Sequence, residues 1–180
     1  MQEENILPHD LKLCANNFLM DKKIISSEKA LLKAESYCAY QERSQQEVRD
    51  KIYSWGFHKN EVEDILSSLI TSGFLKEERF AFAYTSGKFR MKKWGRNKIR
   101  EGLRGKKVSE PLINKALSEI DEREYMKVLK EVINSRTKNV DEKNLLKKIF
   151  KITSYAISRG FEAELVWETI GHPNSYREAD

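Results

Sequence analysis

Arg96, Arg100 and Arg104 recur at four-residue steps, a spacing that lines three guanidinium groups along one side of a helix. Such a row grips phosphate or carboxylate oxygens with paired N–H donors and stays charged at any physiological pH. It is binding chemistry, with no proton to give or take. The row belongs to a longer basic stretch, residues 88–107, in which Lys88, Arg90, Lys92, Lys93, Lys98, Lys106 and Lys107 join the three arginines against one acid, Glu101. Arg79 lies just upstream. A helix that is merely soluble carries neutralising acids at i,i+4, and their scarcity here points to a polyanionic partner that offsets the repulsion. These eleven residues are the candidate binding set, interleaved with Phe80, Phe82, Phe89 and Trp94.

Catalytic chemistry has no comparable signal. The chain contains no phosphate-cradling G-x-x-x-x-G-K-S/T, no G-x-G-x-x-G, no H-E-x-x-H and no G-x-S-x-G. His9, His58 and His172 are scattered, so no ligand or acid–base group forms from them. Cys14 and Cys38 fit no metal or C-x-x-C spacing. The acidic pairs Glu63-Asp64, Glu77-Glu78 and Asp121-Glu122 are expected at helix ends, where carboxylates favour the positive end of the helix dipole. The expectation is a protein that is not an enzyme and needs no cofactor or metal.

The basic stretch must be held by something, and the rest of the chain reads as that frame. Residues 77–120 hold 12 Lys/Arg against 5 Asp/Glu, residues 29–76 hold 7 against 7, residues 121–180 hold 11 against 11, and residues 1–28 are slightly acidic. The formal charge of +5 therefore originates in one segment. With 34% charged residues, 8 Gly and 3 Pro in 180 residues, helix formers dominate and an all-α fold is expected. The N-terminus is acidic and lacks a long apolar run, which argues against a signal peptide, and no stretch suits a membrane span. A cytoplasmic location without membrane contact follows as the expectation.

Residues 1–26 show no sustained period and read as an N-terminal arm. From Ser27 the spacing of Ala30, Leu31, Ala34, Tyr37 and Cys38 predicts a helix to about Arg43. Ser44-Gln45-Gln46-Glu47 is a capping box opening a second helix, with Val48, Ile52 and Trp55 on one face and Gly56 as its stop. Val62, Ile65, Leu66 and Leu69 mark a third, ending at Gly73.

That three-helix unit repeats. Residues 47–69 lie without a gap on residues 98–120, 51 positions later, matching Val48 with Ile99, Ile52 with Leu103, Phe57 with Val108, Val62 with Ile113, Leu66 with Leu117 and Leu69 with Ile120. A weaker third copy, offset by 104 from the first, sets Ile152 on Val48, Ala156 on Ile52, Gly160 on Gly56, Phe161 on Phe57 and Val166 on Val62. The predicted organisation is an arm (1–26) and three helix-turn-helix-like modules (27–76, 77–120 and 121–180) stacked in an elongated, curved array. Phe80, Tyr84, Gly87, Met91 and Trp94 share a helical line expected in the core, while Phe82 and Phe89 lie off it, as a contact against the first module or an exposed anchor.

Three segments resemble the RecX regulatory proteins of bacterial recombination. Glu42-Arg43-Ser44-Gln45-Gln46-Glu47-Val48 resembles that family's Arg-x-x-Ser-x-x-Glu-Leu helix start, and Leu75-Lys76-Glu77-Glu78-Arg79-Phe80-Ala81 its Leu-Asp-Asp-x-Arg-Phe-Ala junction. Gly95-Arg96-Asn97-Lys98-Ile99 with Gly102-Leu103 resembles its Gly-x-x-Arg-Ile-x-x-Glu-Leu segment. The resemblance spans roughly residues 27–171 and implies a monomer that lodges in the groove of the RecA–single-stranded-DNA filament, limits its extension and lowers ATPase and strand exchange, with some DNA contact. Glu77, Glu78 and Val48 are mild departures, and Lys88–Trp94 is more basic than the pattern requires. The alternative is a free-standing helix-turn-helix-like DNA-binding protein. Its recognition helix, residues 110–120, would carry one Lys against two Glu, a poor match to the major groove.

Overall fold

Several helix starts in this chain are marked by short polar side chains that satisfy backbone N–H groups left unpaired in the first turn. Ser44 accepts from the Glu47 N–H at 3.1 Å while the Glu47 carboxylate accepts from the Ser44 N–H at 3.1 Å. Asp121 accepts from Glu124 and Asn144 from Lys147 in the same way. The structure, a computed structural model, describes residues 25–171, and the arm expected over residues 1–26 falls almost wholly outside them. Nine helices occur among the described residues: α1 Ser27–Tyr40, α2 Gln45–Tyr53, α3 Lys59–Thr71, α4 Glu77–Lys92, α5 Arg96–Gly105, α6 Glu110–Ser118, α7 Glu122–Asn139, α8 Leu145–Ser158 and α9 Ala163–Ile170. No strand is present among those residues, so the all-α expectation holds.

The most extensive helix packing falls within α1–α3, within α4–α6 and within α7–α9. All six residue pairs of the 51-residue repeat are buried on both sides, from Val48 and Ile99 through Leu69 and Ile120. Ile152, Ala156, Phe161 and Val166 are buried too.

Among the described residues the buried apolar side chains gather in two cores. Ala30, Val48, Ile52, Phe57, Leu66 and Leu75 belong to one core confined to α1–α3 and the residues around them. A second core runs unbroken from Phe80 on α4 to Val166 on α9. Tyr125, at the start of α7, is fully buried and joins the halves of that second core. Its ring stacks on Phe89 at 5.8 Å and tilts against Phe161 at 5.3 Å between centroids.

Two sequence expectations for α4 fail together. Phe89 is buried against α7 instead of facing the first three helices, and Met91, expected in the core, is 81% exposed. The buried line on α4 is Phe80, Ala81, Thr85 and Phe89. A polar Thr at its centre disguises the line, and the more apolar series through Tyr84 and Met91 runs along the neighbouring face. Glu63 and Asp64 depart as well: they lie inside α3, where Glu63 pairs with Arg49 at 2.8 Å.

The N-terminus of α5 has no side-chain cap of its own. Backbone and side chain from the far end of the chain supply one. The Gly95 N–H donates to the Arg159 carbonyl at 2.9 Å and the Asn97 N–H to the Gly160 carbonyl at 3.0 Å. Between them the Arg96 N–H donates to the Tyr125 hydroxyl, which donates onward to Glu162. The approach needs two glycines: a Cβ on Gly95 would stand 2.2 Å from the Gly160 carbonyl oxygen, and Gly160 itself has φ +92°.

Gly95→Ala should therefore lower stability by about 1–3 kcal/mol, the usual range for overpacking. Gly87→Ala, in the middle of α4 with nothing within 4 Å of the new methyl, should raise it by roughly 0.5–1 kcal/mol; urea unfolding of the two side by side checks the contrast. Tyr125→Phe, which leaves Glu162 and the Arg96 N–H without their shared hydroxyl, should cost about 1–3 kcal/mol in the same assay.

Candidate polyanion-binding face

Six of the eleven candidate residues find a carboxylate outside residues 88–107. Arg79 pairs with Glu42 at 2.9 Å, Arg90 with Glu124 at 3.7 Å, Lys93 with Glu131 at 2.7 Å and Lys106 with Glu47 at 2.8 Å. Arg104 pairs with Glu110, and Arg96 with Glu122 and Glu162. The neutralising acids scarce in the local sequence thus arrive from α2, α6, α7 and the adjoining loops. Most of these pairs lie at the surface, where solvent screening leaves them weak, so an incoming phosphate or carboxylate can take their place.

Arg96 is the exception. Only 21% of its side chain is exposed, and its guanidinium lies 4.1 Å from the centre of the Tyr125 ring as well as against two carboxylates. It stands at the junction of α5 with α7 and the α8–α9 turn. The predicted row Arg96, Arg100 and Arg104 is thus uneven: Arg100 reaches only Asn114 at 3.5 Å and Arg104 is half-exposed, while Arg96 is committed to the fold.

The remaining cations use rings or nothing. Trp94 stands between two ammonium groups, Lys88 at 5.0 Å and Lys98 at 5.1 Å from its ring centre, and Lys88 also faces Tyr84 at 5.1 Å. Lys98 donates to the Ser158 carbonyl as well. The Tyr84 hydroxyl fills the space beside Gly102, where a Cβ would come within 2.2 Å of it. That contact accounts for Gly102 standing where the resembled pattern has Glu. Lys92 and Lys107 are exposed and have no carboxylate partner among the described residues.

Two depressions gather this chemistry. An open cleft of about 460 Å³ lies between the first helix group and α4–α5, with Tyr84, Lys88, Lys92 and Lys106 facing Glu42 and Glu47. A shallower basin of about 520 Å³ holds Arg100 and Arg104 beside Glu101, Glu110, Asn97 and Asn114. In the cleft Glu47 does two jobs. One carboxylate oxygen closes the capping box of α2 and the other accepts from Lys106. Burial alone would raise its pKa, but the Lys106 ammonium and the Ser44 N–H outweigh that and hold it below the ordinary value; burial works against Lys106 too, yet its hydrogen bond to Glu47 lifts it above its own. Sequence reasoning finds the capping box because Ser44 and Glu47 are three residues apart. It misses the ion pair because Lys106 is 59 residues further on.

Among the described residues no three His, Cys, Asp or Glu side chains gather as a metal site, and no helix is long and apolar enough to cross a membrane.

Comparison with known proteins places this geometry. Residues 30–69 match the family model for the first three-helix domain of RecX, and residues 77–117 match the model for its second three-helix domain. The Regulatory protein RecX of Prosthecochloris aestuarii is 28% identical over 149 residues, covering 80% of this chain and 93% of the relative. That of Clostridium tetani is 24% identical over 168 residues, covering 90% and 75%. The relative from Bacillus mycoides is 22% identical over 155 residues, and this chain spans only 56% of its length. The crystal structure of RecX from Lactobacillus salivarius superposes with a TM-score of 0.72 at 19% identity, covering 83% of this chain and 97% of that one. A second crystal structure of regulatory protein RecX gives 0.68 over 94% of this chain and 80% of that one. With both domain models matched in tandem and their order and fold preserved, the chain belongs to the RecX family.

Proposed function

We propose that this chain is a non-enzymatic regulator of the RecA recombinase, which binds the RecA–single-stranded-DNA filament and lowers its ATPase, strand-exchange and coprotease activity in DNA repair. Membership of the RecX family is the observation that carries the reading. The basic face supplies the physical means: cations that steer toward a polyanion, several of them held by ion pairs weak enough to exchange. Lys88, Arg90, Lys92, Lys93, Arg100, Arg104, Lys106 and Lys107 meet acidic filament surface or exposed phosphate, with Arg79, Arg96 and Lys98 placing the helices that carry them. The protein acts as a cytoplasmic monomer, built as an arm over residues 1–26 and modules over residues 27–76, 77–120 and 121–180, and the outer modules set its reach along the filament.

Action as a free-standing helix-turn-helix reader finds little support. The single cation of α6, Lys115, is spent on Glu78, leaving no free Lys or Arg there for the guanine contact that specific readers use most.

The test is the single-stranded-DNA-dependent ATPase rate of the cognate RecA at fixed salt, with this protein added substoichiometrically and DNA binding without RecA measured alongside. The rate should fall at concentrations where the protein alone scarcely binds DNA. Reversal of Lys92, Arg100 and Lys107 to Glu should raise the half-inhibitory concentration at least about tenfold with the unfolding midpoint unchanged, since steering and phosphate pairing are lost together. Arg96→Glu should instead lower the midpoint. An unchanged ATPase rate beside strong, salt-dependent binding of bare DNA would overturn the reading.

A further inference from the structure

Helix α8 buries Ile149, Ile152, Thr153 and Ala156, which satisfies its core-facing side. Beside that side, Leu146 is 43% exposed, Phe150 68% and Ile157 40%, and Leu145 and Tyr155, elsewhere on the helix, are exposed as well. Steps of four and seven residues set the first three on one line about three turns long. None of the three packs on either core.

The charges around this stripe are as unusual as the stripe. The first turn of α8 contains no acid. Lys147 and Lys148 occupy its start instead, against the positive end of the helix dipole, where a cation is disfavoured. Lys147 lies along the solvent edge of the stripe without a carboxylate partner among the described residues, and Lys151, one turn on, is held only by the surface residue Glu142 at 2.7 Å. In a free helix both features are unfavourable. An anionic partner with an apolar seam would relieve both.

Register sharpens the contrast. In the alignment that sets Ile152 on Ile99 and Ala156 on Leu103, the positions of Leu146, Phe150 and Ile157 correspond to Lys93, Asn97 and Arg104. At the aligned positions the candidate face is polar or basic, with Asn97 and Arg104 on α5 and Lys93 at the end of α4, whereas α8 is apolar.

We propose that this face of α8 docks an acidic amphipathic helix of a partner protein, with its apolar residues laid on Leu146, Phe150 and Ile157 and its carboxylates over Lys147 and Lys151. An amphipathic helix offers its own apolar anchors at i, i+4 and i+7 to such a line. Nucleic acid would engage the lysines and leave the apolar line unrewarded. A lipid surface requires a broad apolar face, whereas Ile149, Ile152, Thr153 and Ala156, at the centre of the apolar side of α8, are already buried in the protein. The inference stands independently of the basic face on α4 and α5.

The experiment titrates the full chain into a labelled synthetic acidic peptide that forms an amphipathic helix, leucines at i, i+4 and i+7 with glutamates beside them, and into the same peptide with lysine for glutamate. Fluorescence anisotropy should show the acidic peptide binding at least about tenfold tighter. Phe150→Ser with Ile157→Ser should weaken that binding by a similar factor, as should Lys147→Glu with Lys151→Glu, while circular-dichroism melting confirms that both variants fold. Equal affinity for the two peptides, or variants that bind like the parent, would overturn the proposal. So would phosphatidylglycerol vesicles binding more tightly than the peptide and losing that binding in the same variants, or a concentration-dependent dimer abolished by Phe150→Ser, which would assign the face to a second copy.

Discussion

The backbone contact between Gly95 and Gly160 is the constraint on which the rest of the molecule depends. Helix α5 carries most of the predicted guanidinium row, and its first turn has no side-chain cap. Its leading N–H groups are satisfied by the carbonyls of Arg159 and Gly160 and by the Tyr125 hydroxyl. Unpaired donors at a buried helix end are costly, so α5 keeps its ends paired only while α7 and the α8–α9 turn stay docked. The same contact explains why α4–α9 share one core although their repeat pattern suggests separable units: Phe89, Tyr125 and Phe161 close over the junction that the glycines open. The helix that carries the row is thus capped by the carbonyls of Arg159 and Gly160, far along the chain.

The first helix group is attached on different terms. Its core is its own, and the side-chain links across to α4 and α5 are ionic, Glu42 with Arg79 and Glu47 with Lys106. Partly exposed pairs of this kind contribute little and weaken with salt. Charges that would meet a polyanion therefore also brace the first helix group against α4 and α5 across the cleft. A ligand that takes Lys106 removes one of those braces, whereas a ligand at Arg100 or Lys107 removes none.

How much of this is legible in the sequence depends on sequence distance. The capping box, the glycine stops and the 51-residue repeat are visible because each rests on spacings of a few residues or on a register of buried apolar positions, and burial is what keeps such positions apolar. The α4 core line is not visible, because the buried Thr85 interrupts it and the partly exposed Tyr84 series looks more apolar than the true one. The carboxylates that answer the basic stretch are hidden for another reason. Glu47, Glu122, Glu124, Glu131 and Glu162 lie in segments of balanced charge, and nothing local assigns any of them to a partner 26 to 66 positions away. A local excess of cations is therefore weaker evidence for an external ligand than it looks, and Arg96 illustrates the point: the most prominent residue of the motif is the one most committed to the fold.

What survives that discount is informative about where recognition sits. Family folds keep their core positions and let the outward positions drift, so chemistry that differs between equivalent surface positions of one chain needs a reason other than folding. At the aligned sequence positions, the first helix group carries Glu42, Gln46 and Tyr53, the second Lys93, Asn97 and Arg104, and α8 carries Leu146, Phe150 and Ile157. In the second group Lys93 and Arg104 are answered by carboxylates from this chain, whereas the apolar residues on α8 lie outside both cores. Unanswered surface, rather than charge density, is the better guide to a partner. By that criterion Lys92 and Lys107 on one face and Phe150 on the other are the side chains whose presence folding explains least.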